Sequence, residues 1–159
     1  MVKTRLLISS ACYHIYARGN QRQRVFINRA DYIFYLSKLK LYKKRYSIAL
    51  YGYCLMPNHI HLIIEPHDPY ALPRFMQCLH RSYTAYYNRE YKKVGHVWQG
   101  RFKDKVITKD EYMIGCIAYV EQNPIRANLA QHIGLYEFSS YPERNYDNVG
   151  FKMLDKLIL

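Results

Sequence analysis

The apolar residues of the chain follow two periods, one typical of strands and one of helices. Strand-like patterns run from about Arg5 to Arg18, from Ile48 to Leu55, from His59 to Glu65 and from Phe102 to Thr108. The middle two runs are joined through Pro57-Asn58, which predicts a tight antiparallel hairpin. Because neither run is interrupted by proline, we expect this hairpin at the centre of the sheet.

Helical spacing of apolar residues appears in three longer segments. Stripes at i, i+3, i+4 and i+7 predict helices from Asp31 to about Arg45, from about Leu72 to Tyr91, and from Asp110 to about Asn123. Pro124 restricts Asn123 and ends or bends the third helix, after which Ile125 to Leu129 predicts a short one. A small terminal helix is expected over Phe151 to Leu159.

This order of elements predicts one α+β domain with a ferredoxin-like or RRM-like architecture. Strand, helix, hairpin, helix, strand, helix suits an antiparallel sheet with helices packed on one face. The domain is expected to span residues 1–135, with residues 136–159 as a C-terminal extension docked on it. Strand alternation then puts His59 and His61 together on the open face of the sheet.

Charge narrows the range of partners. The 159 residues carry 24 Lys and Arg against 12 Asp and Glu, a net charge of +12, which favours nucleic acid over an anionic membrane surface. The chain has 18 tyrosines, and aromatic rings interleaved with basic residues suit unpaired bases, although most of these rings are expected to fill the core. No apolar run approaches a membrane span. The four scattered cysteines suggest neither a disulfide framework nor a zinc knuckle, so a cytoplasmic location is expected.

Two basic loops are candidate nucleic-acid contacts. The first surrounds the Gly19-Asn20 break, for which an ordinary solvated loop is the alternative, and the second follows Gly95. The tryptophan of the second loop is expected either to plug the core or to stack on a base, with the plug slightly favoured. The candidate contacts are Arg18, Asn20, Arg22, Arg24, Trp98, Arg101 and Lys103.

His59 and His61 are candidate metal ligands. Two imidazoles on one face of a strand can converge on a divalent cation, and an amide oxygen from Asn123 would add a third donor. The alternative is a pair of polar residues on the solvent side of a strand. If the site forms, Mn²⁺ or Mg²⁺ would polarise a phosphodiester and a tyrosine oxygen could attack it.

The third helix carries two tyrosines on one flank, Tyr112 and Tyr119, and periodicity does not choose between them. Tyr119 has Asn123 one turn onward, a spacing that lets a ligand and a nucleophile serve one phosphate. Gly115, one turn before Tyr119, leaves its ring room to move. These two features favour Tyr119.

Four blocks of the sequence stand together as a recognisable set: Tyr13 to Phe26, Met56 to His61, Gly95 to Phe102 and Tyr119 to Ala127. In this order they resemble the single-tyrosine HUH transposases, and most closely their REP-associated branch. The resemblance implies that His59 and His61 bind the metal, that Tyr119 is the nucleophile, and that Asn123 stands where insertion-sequence relatives usually carry a glutamine. It also implies single-stranded hairpin DNA as substrate, cleavage to a 5′-phosphotyrosine and a free 3′-OH, and strand transfer.

Three hypotheses follow for function. The first is a metal-dependent transposase that nicks and rejoins hairpin DNA. The second is an RRM-like binder of single-stranded nucleic acid without catalysis, and the third is a domesticated relative that binds but no longer transposes. A homodimer is compatible with the resemblance, as is a monomer.

Overall fold

A computed structural model describes residues 7–158 and shows one four-stranded antiparallel sheet in the order β2-β3-β1-β4. The predicted α+β class and the ferredoxin-like sheet are confirmed. The short segments Asn20–Arg22 and Ile133–Leu135 are 3₁₀ turns. The elements are β1 (Cys12–Arg18), α1 (Arg29–Arg45), β2 (Ile48–Met56), β3 (His59–Pro66), α2 (Ala71–Glu90), β4 (Lys103–Ile107), α3 (Glu111–Glu121), α4 (Asn123–Arg126) and α5 (Ser140–Asn145).

Helices α1 and α2 cover one face of the sheet, as predicted. Alternate residues of the three strands β1, β2 and β3 point into this layer, among them Ile15, Leu55 and Leu62. The helices meet them with aromatic side chains such as Tyr35 and Tyr83, whose rings lie 5.4 Å apart in an edge-to-face contact. Most tyrosines of this layer therefore serve packing.

Asp31 stabilises the start of α1. It is fully buried, and its carboxylate accepts hydrogen bonds from the backbone N–H of Ile27 and Asn28 and from the hydroxyls of Tyr86 and Tyr91. The Asn28 side chain in turn accepts from the Asp31 backbone N–H, which completes a capping box. This network fixes the connection between β1 and α1 against α2.

Helix α3 packs on the opposite face, next to the histidines. Ile117 and Val120 of α3 join Cys54 and Ile63 in a second, smaller core. A Cβ added at Gly52 would lie 3.4 Å from the Ile117 side chain, so α3 lies within one side-chain contact of the β2 backbone at this position. Helix α3 thus covers part of the sheet face that was expected to be open, and His61 on this face is only 6% exposed.

Strand β2 lies at an edge of the sheet, which corrects the expectation of a central hairpin; β3 and β1 are the central strands. The C-terminal segment covers that edge. Phe138 accepts a backbone hydrogen bond from Leu55, and Asp155 exchanges hydrogen bonds with Leu50. An edge paired in this way offers fewer free backbone groups to another chain.

Several predicted boundaries shift. The first strand begins at Cys12 instead of Arg5, which lies outside the described residues. Residues 151–158 form neither a helix nor a strand, so the helix expected there is absent from this segment. The domain boundary at residue 135 stays a prediction. Within residues 7–158, none of the helices has the length and apolar character required to cross a bilayer.

Candidate metal and DNA site

Strand pairing brings β1 beside the two histidines. Tyr16 pairs with His61 and Arg18 pairs with His59 in the antiparallel register of β1 and β3. Tyr16 lies close to both imidazoles, with ring centroids 5.6 Å from His59 and 5.1 Å from His61. The two imidazoles are themselves 5.1 Å apart and nearly perpendicular. The central strands therefore present one continuous strip of rings and charge.

Both candidate ligands use Nδ1 for a hydrogen bond within the protein. Nδ1 of His59 lies 2.6 Å from the Asn58 side-chain oxygen, and Nδ1 of His61 lies 2.8 Å from Nε2 of His14. Nε2 of each ring has no hydrogen-bond partner among residues 7–158. The two Nε2 atoms are therefore the nitrogens available to a ligand.

The environment keeps both rings neutral. Burial and the Arg18 charge lower the pKa of His59 to about 4. Burial, with the charges of His14, His59 and Arg126, lowers the pKa of His61 to about 3. Burial and Lys105 also lower the pKa of His14. Neutral imidazoles at physiological pH are the form that binds a cation.

Tyr119 lies near the end of α3 with half of its surface exposed. The Arg126 guanidinium stacks on its ring, 4.0 Å from the centroid, and also donates to the Tyr119 carbonyl. The Arg126 charge is also the smallest of the contributions that lower the pKa of His61. Helix α3, which carries the candidate nucleophile, packs on the face of the sheet to which His61 belongs, because its Ile117 and Val120 contact the core around Cys54, the β2 partner of His61.

Asn123 is the first residue of α4, and its amide NH₂ donates to the carbonyls of Tyr119 and Val120 at the end of α3. Its side-chain oxygen accepts no hydrogen bond among residues 7–158 and stays available as an acceptor or ligand. Asn123 therefore acts first as a brace for the helix terminus. Its role as a metal ligand stays a prediction.

Tyr112 has a different neighbourhood at the start of α3. It is as exposed as Tyr119, at 52% against 51%, and its hydroxyl accepts a hydrogen bond from Lys105 of β4 at 3.1 Å. Lys105 pairs with His14 across β1 and β4. The two tyrosines are thus held by different cations, Tyr112 by Lys105 and Tyr119 by Arg126.

Among the basic candidate DNA contacts, Arg18 is the most buried. It is partly buried beside His59, and its Nε is buried without a hydrogen-bond partner among the described residues. Arg22 and Arg24 are exposed on the loop that follows. A phosphate oxygen would supply the acceptor that Arg18 lacks.

The second basic loop is attached directly to the end of β1. Trp98 pairs with Gly19, and Gln99 donates its backbone N–H to Arg18. The tryptophan is 7% exposed and stacks on His80 with centroids 4.2 Å apart, so the geometry fits the core-plug interpretation. Arg101 and Lys103 are exposed beside it. A cavity of about 420 Å³ opens here, lined in part by Asn20, Arg81, Trp98 and Arg101.

The residues fit a divalent cation only with help from outside the histidine pair. Among residues 7–158, no three His, Cys, Asp or Glu side chains converge as a metal site. His59 and His61 supply two neutral nitrogens, and further ligands would come from Asn123, water or a substrate phosphate. This open arrangement suits a site whose remaining positions are filled by the substrate.

Sequence reasoning missed His14, Tyr16, Asn58 and Arg126. Residues 14, 16 and 18 alternate along β1, so the pattern does place them on one face. The strand that pairs with β1 is distant in the sequence, so the local pattern does not predict which residues lie beside these three. Arg126 belongs to the block Tyr119 to Ala127 and follows Tyr119 by seven residues, about two helical turns, so this spacing is the signal that could have indicated its contact with the Tyr119 ring.

The fold and the site define a ferredoxin-like α+β protein with paired histidines beside a helix that carries a tyrosine. The chain belongs to the IS200-like transposase family, whose model matches residues 7–123. The resemblance seen in the sequence is thereby confirmed.

Individual relatives agree with this assignment. A protein of Haemophilus influenzae described as a REP-associated tyrosine transposase is 25% identical over 108 residues, which cover 62% of this chain and 61% of that relative. The solved structure of a REP-associated tyrosine transposase bound to a REP hairpin covers 100% of this chain and 99% of its own, with a TM-score of 0.71 at 15% identity. A Deinococcus radiodurans structure described as a transposase covers 77% of this chain and 97% of its own, with a TM-score of 0.52 at 16% identity. The structural matches support the fold.

Proposed function

We propose that the protein nicks and rejoins single-stranded DNA that carries REP-like hairpins, with Mn²⁺ or Mg²⁺ at His59 and His61 and with Tyr119 as nucleophile. The observation that carries the proposal is a pair of neutral imidazoles, 5.1 Å apart, whose Nδ1 atoms are both hydrogen-bonded within the protein, in a chain of the IS200-like transposase family. The hairpin substrate is inferred from the relatives that are described as REP-associated.

The proposed reaction is an exchange at phosphorus. The Tyr119 hydroxyl loses its proton and its oxygen bonds to the scissile phosphorus, while the bond from phosphorus to the 3′ oxygen of the preceding nucleotide breaks. That oxygen takes up a proton and leaves as a 3′-OH, and the downstream strand stays on Tyr119 as a 5′-phosphotyrosine. A bound cation would supply Lewis-acid polarisation of the phosphate. Attack by another 3′-OH reverses the step and rejoins DNA.

In this proposal two arginines serve the phosphate. Arg18 pairs with His59 across the sheet and has a buried Nε without an acceptor among residues 7–158, and Arg126 lies over the Tyr119 ring. Positive charge at both sides offsets the charge that the phosphate carries as it is attacked. Beyond Arg18, the basic surface continues through Asn20 to Arg101 at the rim of the cavity, which offers a path for the flanking single strand.

The test uses hairpin oligonucleotides with single-stranded flanks and a dye at the 3′ end. Because the downstream fragment stays on the protein, the 3′ dye should migrate with the protein on a denaturing gel when Mn²⁺ is present. A 5′ dye on the same DNA should instead report a shortened strand with a free 3′-OH. EDTA should remove both products.

His59→Ala and His61→Ala should abolish the adduct, whereas His67→Ala is the matched control. His67 is exposed just beyond the other end of β3, so the His67→Ala variant should cleave the hairpin DNA normally. Tight hairpin binding without an adduct at any cation concentration would contradict the enzyme proposal and favour a non-catalytic binder.

A further inference from the structure

We propose that His14 is a positioning residue that fixes the tautomer and orientation of His61, so that Nε2 of His61 is presented to the cation. The inference rests on the proposed function, since it concerns the same metal site. It adds a residue of β1 that neither the sequence pattern nor the family resemblance had assigned a role.

The geometry of the pair carries the first step. Nε2 of His14 lies 2.8 Å from Nδ1 of His61, and the two rings stack with centroids 5.1 Å apart and planes inclined by 27°. At that distance the two nitrogens share one hydrogen. The contact is built by the sheet, because His14 lies on β1 opposite Ile63, two residues along β3 from His61.

The position of the shared hydrogen decides whether His61 can bind a cation. A neutral imidazole carries one proton, on either nitrogen. If His14 donates, the proton of His61 lies on Nε2, and that nitrogen has no lone pair for a metal. If Nδ1 of His61 donates to His14, Nε2 of His61 keeps its lone pair. Only this second arrangement leaves His61 able to bind a cation through Nε2.

His59 shows the same arrangement with an unambiguous acceptor. Its Nδ1 lies 2.6 Å from the Asn58 side-chain oxygen, which can only accept, so the His59 proton lies on Nδ1 and Nε2 is left bare. Both ligands then expose Nε2, each supported by one neighbour. Metal-binding histidines commonly have such a partner on the second nitrogen, and its loss lowers metal affinity or activity by about 10–100-fold.

Two substitutions at position 14 separate positioning from packing. His14→Phe keeps a flat ring without an acceptor, and His14→Gln places a side-chain oxygen near the position of Nε2. In Mn²⁺ titrations followed by the EPR signal of the free ion, His14→Phe should weaken binding by about 10–100-fold. His14→Gln should stay within about threefold of the unchanged protein. Thermal melting checks that both variants fold.

Long-range ¹H–¹⁵N spectra of histidine-labelled, metal-free protein give a second readout. His61 should show a protonated Nδ1 in the unchanged protein and in His14→Gln, and a protonated Nε2 in His14→Phe. The inference is overturned if His14→Phe binds Mn²⁺ normally, if the His61 tautomer is the same in all three proteins, or if His14→Gln loses affinity as fully as His14→Phe. If the unchanged protein binds no Mn²⁺, the proposed function fails, while the spectra still test the tautomer.

Discussion

Two tyrosines at the ends of one helix present the sharpest question at the residue scale. Tyr119 is stacked by Arg126, whose charge also reaches His61, whereas Tyr112 is held by Lys105 at the other end of α3. A nucleophile must meet the phosphate that the metal ligands hold. The surroundings of Tyr119 therefore favour it, in agreement with the spacing to Asn123.

Removal of one oxygen tests this assignment. Tyr119→Phe keeps the ring on Arg126 and should bind hairpin DNA normally, but covalent adduct should fall by at least about three orders of magnitude. Tyr112→Phe is the matched control, because it removes an equally exposed hydroxyl from the same helix, and its adduct should form. An adduct in Tyr119→Phe that maps to Tyr112 by peptide mass would reverse the assignment.

Buried histidines also predict how stability depends on pH. Burial lowers the pKa of His80 to about 3; although part of the residue reaches solvent, its ring stacks on Trp98 and lies 3.3 Å from the Tyr35 hydroxyl. The unfolded chain titrates such a histidine near pH 6.5, so below that pH the unfolded state binds more protons than the folded one. Stability is therefore highest above about pH 6.5 and falls as the pH drops toward 4, by at most about 1.4 kcal/mol per pH unit for each such histidine.

Urea unfolding at several pH values measures this slope. His80→Phe retains a ring against Trp98 and removes one titrating group, so the loss of stability between pH 6.5 and 4 should be shallower than in the unchanged protein. Equal slopes in the two proteins would show that His80 is not held neutral by the fold.

Helix α3 combines a buried apolar face with a glycine, Gly115, on its exposed side. Met113, Ile117 and Val120 anchor it to the sheet, while Gly115 is exposed and a Cβ there would touch nothing within 4 Å. The glycine is thus unexplained by packing. It leaves the helix less rigid one turn before Tyr119.

Gly115→Ala should raise the free energy of unfolding by about 1 kcal/mol, since alanine favours the helix and meets no steric obstacle. The expected rise in melting temperature is about 2–4 °C, measured by circular dichroism. Ala118→Gly, at an exposed position of the same helix, is the matched control and should lower stability by a similar amount. A destabilised Gly115→Ala variant would mean that α3 needs the glycine for a conformation other than this helix.

Over the whole molecule, basic residues lie at both ends of the sheet. Arg18, Arg101 and Lys103 belong to the end where His59 lies, whereas Lys44 lies near the end of α1 that leads into β2, at the far end of the sheet. Only the first group is positioned to follow a strand that crosses the histidines.

Salt dependence of binding tests that division. Arg101→Ala should weaken hairpin binding and lower the slope of log affinity against log salt concentration by about one unit, because one fewer counterion is released. Lys44→Ala removes the same charge from the protein and should leave the slope unchanged. Equal effects of the two variants would indicate attraction by net charge alone.

The sequence by itself determined what depends on near neighbours. Helical stripes, strand alternation and the Pro57-Asn58 turn predicted nearly all elements, and alternation placed His59 and His61 on one face of β3. Motif spacing supplied the family and the choice of Tyr119 as candidate. These features follow from the 3.6- and 2-residue periods, which are local properties of the backbone.

The tertiary structure decided what depends on pairing between distant segments. Insertion of β1 between β3 and β4 put His14 and Arg18 beside histidines more than forty residues away, and moved β2 to the edge. Packing of α3 on the second face placed the helix that carries Tyr119 on the face of the sheet to which His61 belongs. Such neighbours are selected by the burial of apolar faces across the whole chain, so no local period encodes them.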